Sequence, residues 1–97
     1  MKALSPRDVE IRLQKLPHWS TDGKTIHRLF TFKDFRAAFG FMTRAAFIAE
    51  EMNHHPDWTN VYNRVEIKLW THDSQGITEK DFAFAEAVSQ LAEDFTK

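Results

Sequence analysis

The chain has 97 residues, room for one domain but not two, and no cysteine, which removes disulfide scaffolds, thiolate metal sites and cysteine nucleophiles. Thirteen Lys and Arg against fourteen Asp and Glu leave a net charge of −1, a poor electrostatic footprint for nucleic acid or an anionic membrane. With 42% hydrophobic and 28% charged residues and no long apolar run, the composition predicts one cytoplasmic domain with an aromatic core, no signal peptide and no membrane span.

Ser5-Pro6-Arg7-Asp8 reads as a helix start: Ser5 caps, Pro6 takes the first helical position and Asp8 favours the positive dipole end. Val9, Leu13 and Leu16 then form a stripe that Pro17 stops. Asp22-Gly23 between two β-prone runs is a hairpin signal, with strands near 18–21 and 24–32. From 33 to 53 the period turns helical. Phe35, Phe39, Met42, Ala46 and Ala49 make one stripe; Ala38, Phe41, Ala45, Ile48 and Met52 make its neighbour. Together they span about half the helix circumference, more than one sheet needs, which predicts a second apolar contact such as a partner subunit.

Pro56 forces the chain out of helix by His54-His55. Residues 57–61 form a short strand candidate and Tyr62-Asn63 a tight turn. Residues 64–72 alternate, with Val65, Ile67 and Leu69 facing one way and Arg64, Glu66 and Lys68 the other. After a loop over 73–76, Thr78 and Asp81 form a capping pair, Ile77 and Phe82 a hydrophobic staple, and Phe84, Val88, Leu91 and Phe95 a buried stripe. The order α-β-β-α-β-β-α predicts an α+β fold: a four-stranded antiparallel sheet with three helices on one face.

The chemistry concentrates in His54, His55 and His72, the first two at a helix-to-strand corner and the third ending a strand that pairs back toward it. Glu50 lies one helical turn before His54 and is expected on the same face, where a carboxylate fixes an imidazole tautomer. Because Pro56 breaks the helix, the two adjacent histidines need not point the same way. Other readings of these residue types stand beside this one. Adjacent histidines at a corner are often solvated, and Glu50, His54 and His72 could supply a two-histidine, one-carboxylate metal set. His18 and His27 read as surface residues, and Trp19, Trp58 and Trp70 as core or rim.

The run Glu50-Glu51-Met52-Asn53-His54-His55-Pro56-Asp57-Trp58-Thr59-Asn60-Val61-Tyr62-Asn63-Arg64-Val65, followed by Thr71-His72, resembles the pterin-4a-carbinolamine dehydratase family. Phe32-Lys33-Asp34-Phe35, residues 39–46 and residues 76–81 resemble it too, so the likeness covers about residues 19–92 and loosens only in the first helix. It implies a hydro-lyase that converts 4a-hydroxytetrahydropterin to quinonoid dihydropterin and water, recycling the pterin used by aromatic amino-acid hydroxylases. By the same resemblance His54, His55 and His72 are the catalytic imidazoles, Glu50 is their acidic companion, and Trp19 and Asp81 lie at the pocket. Histidine suits the task, since one proton must reach the departing oxygen and one must leave a ring nitrogen near neutrality. No cofactor and no metal is expected. The expected partners are the pterin and further copies of the chain in a homo-oligomer, with no direct nucleic-acid binding and no membrane. The alternative is a protein-binding module, the dimerisation cofactor of a transcription factor, acting through the apolar face of helix 33–53.

Overall fold

Helix capping decides where the elements begin. Ser5 Oγ accepts from the Asp8 N–H at 3.1 Å, which starts α1 (Pro6–Leu13). Asp34 Oδ1 accepts from the Ala37 N–H at 2.8 Å, so α2 (Phe35–Met52) opens two residues later than the periodicity alone suggests. Thr78 and Asp81 form a reciprocal capping box at the head of α3 (Glu79–Glu93), with Ile77 and Phe82 both buried beside it. The computed structural model describes residues 1–96.

Between the helices run β1 (Ser20–Thr21), β2 (Ile26–Thr31), β3 (Asp57–Val61) and β4 (Arg64–Leu69). They form one antiparallel sheet in the order β1-β2-β4-β3. The two central strands align Ile26 with Leu69, Arg28 with Ile67 and Phe30 with Val65. Strand alternation sends Ile26, Phe30, Val65, Ile67 and Leu69 under the helices, while Leu29, Thr31, Arg64 and Lys68 stay exposed on the bare face. This is the expected architecture.

Strand β1 starts at Ser20, later than expected, and ends at Thr21 as the hairpin signal predicts, whereas β4 ends earlier than the alternation predicts. Strand β1 stops because Asp22 Oδ1 takes the N–H groups of Lys24 and Thr25, at 2.9 and 2.7 Å, closing a side-chain turn. Strand β4 stops at Leu69, which already pairs with the first residue of β2. Beyond it Thr71 and Gly76 exchange backbone hydrogen bonds of 2.8 and 3.3 Å around a 3₁₀ turn, His72–Ser74. His72 therefore sits on that turn and not at a strand end.

The core is aromatic, as the composition predicts. Phe41 and Phe84 are fully buried, and the Phe41 ring lies 4.9 Å from Phe30 and 5.0 Å from Phe32. At Gly40 a Cβ would come within 2.9 Å of the Phe95 ring, so the glycine lets the end of the chain lie against α2. Helix α2 buries Ala38, Phe41, Ala45 and Ala49, but Phe35, Phe39 and Ala46 of the other predicted stripe are exposed, as is Phe47. Among the described residues no helix is long and apolar enough to cross a membrane.

Candidate active site

The end of α2 sends two adjacent histidines in opposite directions. Asn53 adopts the left-handed conformation (φ 50°, ψ 45°), and the His54 N–H returns to the Ala49 carbonyl at 3.0 Å. This is the six-to-one hydrogen bond of a Schellman cap, which reverses the chain within one residue. His54 turns inward and is 8% exposed; His55 turns out to solvent.

Each ring meets a different carboxylate. His54 Nε2 lies 2.5 Å from Asp81 Oδ1, and His55 Nε2 lies 2.5 Å from Glu50 Oε2. Glu50 thus serves His55 and not His54, contrary to the one-turn spacing argument. The reason is the left-handed cap, which takes His54 off the helical face on which that spacing rests.

Asp81 is fully buried, and every described group around it is placed to donate. Its Oδ2 accepts from the Thr78 N–H at 2.9 Å and from the Thr71 hydroxyl at 3.0 Å. Thr71 Oγ1 and Thr78 Oγ1 are 2.6 Å apart. The single Thr71 proton points to Asp81, so Thr78 is the donor between the two hydroxyls. The resulting chain runs Thr78 to Thr71 to Asp81, with His54 on the other carboxylate oxygen. In the neutral ring, the hydrogen bond to Asp81 assigns the proton of His54 to Nε2 and leaves Nδ1 as the acceptor.

His72 follows Thr71 directly, so the same network adjoins the third histidine. Its ring is exposed and lines a cleft of about 430 Å³ with Lys24, Thr25, Trp70, Gln75 and Gly76. The Trp70 indole gives this cleft a flat apolar wall, and Thr25 Oγ1 is buried there without a hydrogen-bond partner among the described residues. A planar heterocycle with polar edges suits such a lining.

Trp19 is placed differently from the other candidates. It is 6% exposed, stands edge-on to Phe30, and donates from Nε1 to Ser89 Oγ at 2.8 Å. Ser89 lies eight residues along α3 from Asp81, about 12 Å by the helical rise. The metal set allowed by the sequence is divided in space, since Glu50 is paired with His55 and His54 with Asp81. Among the described residues no three His, Asp or Glu side chains gather closely enough to hold an ion.

Sequence reasoning paired Asp81 with Thr78 as a cap but missed Thr71 as its partner, and Lys24, Thr25 and Gln75 as cleft residues. The capping motif Thr78-x-x-Asp81 was the available signal for one of these links. It marks Asp81 as a helix-start carboxylate whose second oxygen stays free.

The chain is similar over most of its length to proteins of one family. The sequence profile described as "Pterin 4 alpha carbinolamine dehydratase" matches residues 2–91. A protein of Burkholderia ambifaria, provisionally named a pterin-4-alpha-carbinolamine dehydratase, is 51% identical over 90 residues, covering 91% of this chain and 88% of the relative. A Christiangramia forsetii protein with the same provisional name is 46% identical over 93 residues, covering 96% of each. Among solved structures, a transcriptional coactivator/pterin dehydratase from Brucella melitensis superimposes with a TM-score of 0.91 at 43% identity, over 94% of this chain and 99% of that one. A pterin dehydratase-like protein identified as a RuBisCO assembly factor in the alpha-carboxysome gives a TM-score of 0.63 at 25% identity, over 76% and 86% of the two chains.

Proposed function

This chain belongs to the pterin 4-alpha-carbinolamine dehydratase family, and from that premise we propose that it eliminates water from a 4a-hydroxytetrahydropterin to give the quinonoid dihydropterin. The bond from carbon 4a to its hydroxyl oxygen breaks, that oxygen takes up a proton, and the adjacent ring nitrogen gives one up. The sum is one water, with no change of oxidation state.

The observation that carries this reading is the buried His54–Asp81 pair, whose hydrogen-bond partner Thr71 directly precedes the exposed His72. Asp81 holds the Nε2 proton of His54, so Nδ1 is the basic atom of that ring. His72 faces the Trp70-walled cleft, where it can exchange a proton with a bound ring. His54 and His72 are assigned the two proton transfers, and His55, with Glu50, the orientation of the pterin. General acid–base assistance of this kind is worth about 10²–10⁴-fold, enough for an elimination that also proceeds unaided.

The test is a dehydratase assay with synthetic 4a-hydroxytetrahydropterin at neutral pH, with and without a chelator. The protein is expected to accelerate water loss over the spontaneous rate, unaffected by chelation. The His72→Ala variant is expected to lose on the order of 10²-fold or more in kcat. No acceleration by the unmodified protein would defeat the reading, and a fully active His72→Ala would defeat the assignment of roles.

Association of copies through α2 belongs to the same reading. Its support is the apolar surface of Phe35, Phe39 and Phe47, which are 47%, 54% and 64% exposed. The Brucella relative is described as a coactivator as well as a dehydratase, and the same face would serve a protein-binding role. A second copy needs no further component and is the simpler occupant.

A further inference from the structure

A second hollow lies away from His54, His55 and His72. It measures about 630 Å³, within the usual size of small-ligand pockets, and shares no lining residue with the His72 cleft. Phe82, Glu86, Ser89 and Glu93 line it from one face of α3, and Arg28 enters from the helix-covered side of β2.

Arg28 is an unusual residue to find on that side of the sheet. Its guanidinium lies 4.1 Å over the Phe30 ring, and its Nη1 donates to Ser89 Oγ at 3.3 Å. Ser89 already accepts from Trp19, and Arg28 Nε is enclosed with no hydrogen-bond partner among the described residues. Burial pulls the Arg28 pKa below its ordinary value, while the charge of Glu93 opposes that shift. A desolvated donor without an acceptor is costly and invites an explanation.

The charges in the cleft are balanced but not joined. Arg12 is spent on Glu79, at 2.6 Å. Lys15, Arg28, Glu86 and Glu93 all line the cleft with no ion-pair partner within 4.0 Å among the described residues. A phosphate dianion would meet two carboxylates there, and a simple cation would meet the Arg28 guanidinium. A ligand carrying one charge of each sign meets neither conflict.

We propose that this cleft binds a zwitterionic amino acid, with its carboxylate on Arg28 and Lys15 and its ammonium on Glu86. The planar guanidinium presents paired donors that match the two oxygens of a carboxylate. The site is independent of the pterin chemistry, since none of His54, His55 and His72 lines it.

The experiment is an NMR titration of the full chain with L-leucine, acetate and n-butylammonium. L-leucine is expected to shift amide resonances around Ser89 saturably, with acetate and butylammonium each at least about tenfold weaker, the equivalent of about 1.4 kcal/mol. Arg28→Gln and Glu86→Gln are each expected to weaken leucine binding about tenfold or more, and His72→Ala to leave it unchanged. Glu86 is exposed, so its variant keeps the test open should Arg28→Gln fail to fold. No saturable shift, acetate binding as tightly as leucine, an unaffected Glu86→Gln, or loss of binding in His72→Ala would each overturn the proposal.

Discussion

Asp81 shows how much can rest on one carboxylate. It caps α3, accepts from Thr71 and orients His54, all from full burial. Asp81→Asn turns one acceptor into a donor facing either an N–H or an imidazole N–H. We expect a loss of about 2–3 kcal/mol, the cost of leaving buried donors unpaired, read as a lower urea midpoint at unchanged slope. Asp22 gives a smaller effect of known sign. The Thr25 and Lys24 N–H groups hold its carboxyl below the ordinary value of 3.8. A depressed folded-state pKa stabilises above 3.8 and is lost as pH falls through the lowered value. Asp22→Ala is therefore expected to lower Tm at neutral pH, and the gap to the unmodified protein should narrow in acid below that range. The side chain is exposed, so the difference will be small. His54 with Asp81 could not be read from spacing, because 27 residues and two helix ends separate them. Asp81 itself was legible through family resemblance and its capping position.

At the scale of elements, the end of α2 decides the directions of the histidines. Asn53 carries the left-handed conformation that costs most residues about 1–2 kcal/mol. Asn53→Ala is expected to lower Tm by several degrees, taking about 4–8 °C per kcal/mol for a domain of this size, and Asn53→Gly to leave it equal or higher. A thermal melt of the two variants separates them. An equal loss in both would show that the Asn side chain matters and that the backbone angle does not. The same turn explains why Glu50 meets His55 and not His54: i to i+4 spacing holds only while the helix continues, and it stops at Met52. Proline at 56 signalled a boundary, but the residue that reverses the chain stands three places earlier.

For the whole molecule, the open question is what covers α2. The breadth of its apolar pattern was legible in the sequence, and one stripe does pack in the core while Phe35, Phe39 and Phe47 remain bare. If copies meet there, light scattering will give a mass above that of one 11.4 kDa chain. The Phe39→Glu/Phe47→Glu double variant is then expected to shift toward the monomer with its helical content retained. A monomeric unmodified protein would remove this face from the proposed interface.

Local chemistry made most of the fold readable: Ser5, Asp22-Gly23, Pro56 and the Thr78–Asp81 box mark turns and caps through forces acting within a few residues. Alternation over 64–69 and the helical stripes told which side of each element faces the core, because burial follows the period of the backbone. The dehydratase motif was legible as a pattern of residue types. The partners of those residues were decided by tertiary structure alone. Asp81 reaches His54 and Arg28 reaches Ser89 because packing α3 across the sheet juxtaposes groups whose separation along the chain carries no geometric information, and His72 leaves the strand because β4 has no β2 partner beyond Leu69.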